Sequence, residues 1–272
     1  MAEFSGNIAI LGSGNIGTSL AKGLVKSNFS SPGQISLTRR NIDALSVFSE
    51  QGFDVSVDNA AVVAKADIIV LSVLPQQLNS LLEQISGVID VNKHLVISVA
   101  SGVSCADIRA KLSPGLQVVR AMPNTAIAIG QSMTCVATDN AEDTNLQQVI
   151  RMFETVGSAV KINEDLMTSA TALCACGIAF FLRAIRAASQ GGVEIGFHAE
   201  DALKMAVQTA KGAADLLLQM QSHPEQEIDK VTSPKGCTIA GLNEMEHNGF
   251  SSSLIKGIKL SATKAGELYK KE

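Results

Sequence analysis

The chain has 272 residues, a charged fraction of 18% and a formal net charge of −4. That length supports one large domain or two smaller ones with a substantial core, and the acidic balance leaves no basic face for nucleic acid, so small molecules or other proteins are the expected partners. The five cysteines, Cys105, Cys135, Cys174, Cys176 and Cys237, are odd in number and scattered, which argues against a disulfide framework.

A strand pattern begins at Asn7 without a charged leader or cleavage site, and the longest uninterrupted apolar run, 172–182, is 11 residues. The sequence therefore predicts no secretory signal, no membrane span and a reducing, cytoplasmic setting.

The strand pattern 7–11 leads into Gly12-Ser13-Gly14-Asn15-Ile16-Gly17 and an amphipathic run to about Lys26. Strand, G-x-G-x-x-G and helix in that order suit a dinucleotide: the first glycine permits a tight turn, the second lets backbone approach a pyrophosphate, and the third lets helix pack on strand. A structural glycine turn is the alternative. The next strand, 35–38, ends in Thr38-Arg39-Arg40, where a cofactor lacking a 2′-phosphate is usually met by Asp or Glu. Two guanidinium groups suit a 2′-phosphate by charge and bidentate hydrogen bonding, so NADPH is expected over NADH, against the alternative of a solvated basic turn.

The alternation continues with a helix face at 42–48, a strand near 54–57, a short helix from Asn59 and the strand 67–72. A doubly wound parallel sheet of Rossmann type follows. After that strand, Pro75 is placed to open a helix. The strand 95–99 ends in Ala100-Ser101-Gly102, small residues at the carboxyl edge where ligands of such sheets sit. The strand 117–121 runs into Met122-Pro123-Asn124-Thr125, read either as a cofactor contact or as a plain turn. Two further strands, 133–138 and 157–161, flank a helix at 145–156, which places the first domain at 1–163 and a second at 164–272.

The second domain is expected to be all-helical, with runs at 165–190, 199–221, 238–247 and 251–269. The segment 170–177 is apolar all round, which predicts burial on every side, either within its own chain or against another subunit, and a homo-oligomer. Cys174 and Cys176 are read as small core residues, because C-x-C in a helix points the thiols to different faces and no metal-ligand set lies nearby. His94, His198, His223 and His247 lack ligand spacing and are read as surface residues.

In 229–245, a Pro-Lys-Gly turn flanked by Thr232, Ser233 and Thr238 precedes an apolar helical pattern, with Thr238 as candidate N-cap. A helix start offers free N–H groups and a positive dipole end, a place for a carboxylate; an ordinary capped loop is the alternative.

Val231-Thr-Ser-Pro-Lys-Gly-Cys-Thr-Ile-Ala-Gly-Leu242 resembles the signature of pyrroline-5-carboxylate reductases, and the resemblance extends to the glycine loop, Val73-x-Pro75-Gln76, Arg120-x-Met122-Pro123-Asn124-Thr125 and Glu164-Asp165-Leu166. It implies NAD(P)H-dependent reduction of 1-pyrroline-5-carboxylate to L-proline, an N-terminal Rossmann domain, a C-terminal helical dimerisation domain, an active site formed between subunits, and dimers that assemble into decamers. By position, it implies that Thr238 hydrogen-bonds substrate near the ring nitrogen as the catalytic residue. Ser233, Gly236 and Cys237 would form the carboxylate loop, with Glu164 close to substrate, and Asn59, Val73, Leu74 and Ser101 would meet the cofactor. Lys235 stands for a usual glycine, Leu74 for a lysine, Ala126 for a proline and Lys230 for an asparagine, while Cys174 and Cys176 stand for serines.

An iminium carbon is already electrophilic, so hydride transfer needs positioning more than strong acid or base, consistent with the absence of a catalytic histidine pattern. A β-hydroxyacid dehydrogenase would carry a lysine on the first helix after the domain junction, and 167–182 has none. A reductase of a related cyclic imino acid and a non-catalytic NADPH-binding regulator stay open.

Overall fold

The computed structural model describes residues 4–269. Alternating strands and helices fill the first half: β1 (Ile8–Leu11), α1 (Asn15–Lys26), β2 (Ile35–Thr38), α2 (Ser46–Glu50), β3 (Asp54–Ser56), α3 (Asn59–Val63), β4 (Ile68–Leu71) and α4 (Pro75–Ile85). They continue as β5 (Leu95–Ser98), α5 (Cys105–Lys111), β6 (Gln117–Met122), β7 (Ser132–Ala137), α6 (Asp143–Glu154) and β8 (Gly157–Lys161). The strands form one sheet in the order β3-β2-β1-β4-β5-β6-β7-β8.

All pairings are parallel except β6 with β7. The link between those two strands, 123–131, holds only a 3₁₀ turn at Thr125–Ile129 closed by Gly130, whereas a parallel crossover needs about a dozen residues or more. The chain therefore turns back, and β7 and β8 run against the other six.

Side chains alternate across the sheet with the period of two that a strand imposes. Ile8 and Ile10 enter one core with Leu20 and Leu24 of α1 and Val149 and Phe153 of α6. Ala9 and Leu11 enter the other with Val62 of α3 and Leu78 and Leu82 of α4. Both faces are covered, which is why these strands read as continuous apolar runs. Each fully buried leucine or isoleucine contributes roughly 1.5–3 kcal/mol.

His94 departs from the surface reading, being 4% exposed. Its Nδ1 accepts from the Asp90 amide at 3.1 Å and so closes the turn before β5. Nε2 has no hydrogen-bond partner among the described residues.

The helical half comprises α7 (Met167–Ala170), a π-helical segment Thr171–Cys176, α8 (Gly177–Glu194), α9 (Ala199–Met220), α10 (Pro224–Val231), α11 (Cys237–His247) and α12 (Phe250–Gly266). The chain forms two compact units, one running through Cys176 and resuming at Leu260, the other Gly177–Lys259. Within the first, the end of α12 packs near Gly102, and the Tyr269 hydroxyl donates to Asn79 Oδ1 at 2.8 Å.

Within the single chain, segment 170–177 is covered on one side only, which leaves its other side for the expected second subunit. Thr171 and Ala172 are buried, but Leu173 is 57% exposed, because the wide π turn presents one side to β7 and leaves the other open. The helical run Glu164–Glu194 spans 31 residues and is long and apolar enough by composition to cross a bilayer. A count of uninterrupted apolar residues does not register it. In the second unit α8 packs on α9, yet the buried residues of these two helices are only Gly177, Ser189 and Ala202. Phe181, Leu182, Leu203, Leu216 and Leu218 are all exposed.

Candidate functional site

The glycine loop is built from the tip of β2. Gly12 has φ +83°, which favours glycine, and a Cβ there would lie 2.3 Å from Val73 Cγ1. The carbonyl of Thr38 accepts from the amides of Gly12 at 3.1 Å and Ser13 at 2.7 Å, fixing the turn. Gly14 is the N-cap of α1 with no side-chain cap and no acidic residue in the first turn. Among the described residues, nothing beyond its own chain neighbours and helix backbone lies within 4 Å of where its Cβ would be. The free N–H groups at this helix start are therefore left for an external anion.

This loop opens on a cleft of about 870 Å³. Of the expected cofactor residues, Gly12, Gly14, Asn15, Ile16, Arg39 and Arg40 line it, as do Asn59, Val73 and Leu74. Arg39 and Arg40 are exposed at the rim. The two guanidinium groups, the bare helix start and the open glycine suit a phosphate-rich dinucleotide carrying an additional phosphate on its ribose.

Five expected residues do not line the cleft. Ser13 is fully buried, its hydroxyl donating to the carbonyl of Ile10 at 3.1 Å. Gly17 packs inward, where a Cβ would lie 2.9 Å from Ile10 Cγ2. Pro75 opens α4. The Ser101 hydroxyl lies 3.8 Å from Met122 Sδ. Asn124 is spent on structure: Oδ1 accepts from the Ala126 amide at 3.0 Å, and Nδ2 donates to the Cys174 carbonyl at 3.2 Å.

Sequence reading missed the polar wall opposite the glycine loop. Thr38 donates through its hydroxyl to Asn59 Oδ1 at 2.6 Å, and Asn59 Nδ2 donates to Gln84 Oε1 at 2.8 Å. Gln84 in turn donates to the Ser80 hydroxyl at 3.3 Å. Gln76, Ser80 and Gln84 all line the cleft, and their spacing of four along α4 is the signal that could have found them.

Glu164 has an internal set of partners. Its Oε1 accepts from the Cys105 amide at 2.7 Å and from Arg120 Nη1 at 3.4 Å. Cys105, Asp139 and Glu164 converge within 4.8 Å, but Arg109 is bidentate to Asp139 and holds its carboxyl below the usual range. Burial, reinforced by Glu164, pushes the Cys105 thiol well up.

The loop before α11 forms a separate element in the second unit. The Gly236 amide donates to the Ser233 carbonyl at 2.9 Å. A Cβ on residue 236 would lie 2.5 Å from Ser233 Oγ and 2.9 Å from its carbonyl oxygen, so glycine is needed there. Lys235 takes φ +58°, a left-handed conformation costing a non-glycine residue about 1–2 kcal/mol. Thr238 is not the N-cap: Gly236 holds that place in extended conformation and the helix begins at Cys237. No side chain caps this end and its first turn carries no acid. Thr238 therefore brings both a hydroxyl and an uncapped first-turn N–H to one place. Cys237 is exposed and Thr238 half-buried.

Comparison with known proteins is consistent over the whole chain. The family described as pyrroline-5-carboxylate reductase dimerisation matches residues 164–268, and the family described as NADP oxidoreductase, coenzyme F420-dependent, matches residues 7–102. Pyrroline-5-carboxylate reductase 1 of Dictyostelium discoideum is 50% identical over 99% of this chain, which spans about half (51%) of that relative's length. Pyrroline-5-carboxylate reductase 2 of the same organism is 47% identical over 96% of this chain and 92% of its own. A solved structure of a pyrroline-5-carboxylate reductase from Coxiella burnetii superposes with a TM-score of 0.91 at 28% identity, covering 98% of this chain and 100% of that one. With near-half identity carried across both the glycine-loop half and the helical half, the chain belongs to the pyrroline-5-carboxylate reductase family.

Proposed function

We propose that the protein reduces the cyclic imine 1-pyrroline-5-carboxylate to L-proline, the last step of proline biosynthesis, using NADPH, with NADH as a possible substitute. The observation that carries this reading is the 47% identity to a Dictyostelium reductase over nearly the full length of both chains. A bound nicotinamide supplies the hydride for the imine carbon. The glycine loop and the bare start of α1 hold a pyrophosphate, and Arg39 and Arg40 hold a 2′-phosphate. The uncapped start of α11 holds the substrate carboxylate. The Thr238 hydroxyl orients the ring nitrogen and relays its proton.

The second unit supports an oligomer. A helical unit that exposes Phe181, Leu182, Leu203 and Leu218 buries little of itself, and self-association is the economical way to remove that surface from water. The matched dimerisation family favours a second copy over a lipid bilayer as the covering surface. We take the dimer as the basic assembly and the decamer as the higher one, in a cytoplasmic setting that the five free cysteines suit.

Leu74 and Lys235, which replace a usual lysine and glycine, keep a related cyclic imino acid in view as substrate. Following NADPH oxidation with five- and six-membered cyclic imino acids tests the reading. Preference for pyrroline-5-carboxylate is expected; NADPH binding without turnover on any of them identifies a regulator instead.

A further inference from the structure

We propose that Cys135 and Cys174 are a redox-active thiol pair, at which a low-molecular-weight disulfide closes a reversible intrachain crosslink between β7 and the π-helical segment 171–176.

The two sulfurs lie 3.7 Å apart, and β7 and the π-helical segment pack against each other in a cluster that includes Met122 and Met167. A disulfide needs about 2.05 Å between sulfurs, so closure asks for a movement of under about 2 Å, within reach of side-chain rotation with small backbone adjustment. The backbone at Cys174 is already anchored toward this side, because its carbonyl accepts from Asn124 Nδ2. The two thiols differ in access: Cys135 is buried, whereas Cys174 is half-buried. They also differ in acidity. The hydrogen bond shared between the two sulfurs lowers Cys174 to about 7 and, together with burial, raises Cys135. A thiol titrating near neutrality is both ionised and nucleophilic enough to attack.

The accessible Cys174 thiolate attacks one sulfur of the disulfide R–S–S–R, forming a Cys174–S–S–R bond and expelling RS⁻. Cys135, losing its proton, then attacks the Cys174 sulfur and expels the second RS⁻. The two thiol protons end on two RSH; the protein is oxidised by two electrons and the reagent reduced by two. Thioredoxin-type dithiols or dithiothreitol reverse the exchange.

The test incubates the full-length protein with oxidised glutathione, counts thiols under denaturing conditions and maps peptides without reduction. Loss of two of the five thiols, a Cys135–Cys174 crosslinked peptide and full recovery with dithiothreitol are expected. Cys174→Ser should abolish the crosslink and Cys176→Ser should leave it intact; Cys174→Ala serves if the serine variant does not fold. Five persistent thiols, a stable Cys174–glutathione adduct that Cys135 never resolves, or a crosslink between other cysteines would overturn the proposal.

Discussion

The Thr38 hydroxyl donates to Asn59 Oδ1 at 2.6 Å, and the Thr38 carbonyl holds the amides of Gly12 and Ser13. The glycine loop, the tip of β2 and the start of α3 are thus one hydrogen-bonded body. Asn59→Ala breaks its centre and leaves the Thr38 hydroxyl and Gln84 without that partner, a cost of about 1–1.5 kcal/mol. We expect KM for NADPH to rise about 5–10-fold with kcat little changed, measured by steady-state kinetics at saturating substrate.

Under the proposed function, Arg39 and Arg40 at the cleft rim select NADPH over NADH. Each charge-assisted hydrogen bond to a phosphate is worth about 1.5–3 kcal/mol, so either single variant, Arg39→Ala or Arg40→Ala, should lose roughly 10–100-fold in kcat/KM for NADPH. NADH, with no 2′-phosphate to hold, should change little. Equal losses with both cofactors would remove the arginines from discrimination.

Thr238 and Gly236 separate chemistry from stability. A capping residue replaced by alanine costs about 1 kcal/mol, but Gly236, not Thr238, caps α11. Thr238→Ala should therefore leave the melting temperature nearly unchanged while lowering kcat/KM by about 10²-fold or more. Gly236→Ala must displace Ser233 and should lower stability by about 1–3 kcal/mol. Thermal melting alongside kinetics reads both.

His94 gives stability a pH dependence. Burial, with Lys93 adding to it and Asp90 and Asp67 opposing, lowers its pKa from the ordinary 6.5. The unfolded chain then binds the proton more readily than the folded one, so the contribution is complete above pH 6.5 and is lost progressively as pH falls below that value. Urea unfolding between pH 7.5 and 5 should show falling stability for the wild type and a shallower slope for His94→Gln. Identical slopes would contradict this.

The sheet and its glycine loop were legible because both depend on local chemistry: apolar runs for strands buried on two faces, and a motif whose glycines are fixed by one turn. The position of Arg39 and Arg40 at the cleft was legible for the same reason, since they lie at the end of a recognisable strand. What sequence could not supply was pairing between distant segments. Cys135 and Cys174 meet only because β7 turns back against β6, a reversal set by a short link and not by any strand pattern. His94 looked polar and exposed until a turn around Asp90 buried it. Thr238 read as a cap because threonine prefers that place, whereas the extended Gly236 takes it two residues earlier.

The proposed reaction turns on hydride transfer from nicotinamide C4 to the imine carbon. Incubation with 1-pyrroline-5-carboxylate and NADPH deuterated on the transferring face of nicotinamide C4 tests it most directly, with the product analysed by mass spectrometry and NMR. L-proline carrying one deuterium at the ring carbon that was the imine carbon is expected, with stoichiometric loss of NADPH. Unlabelled proline, or NADPH bound and unconsumed in the presence of substrate, would contradict it.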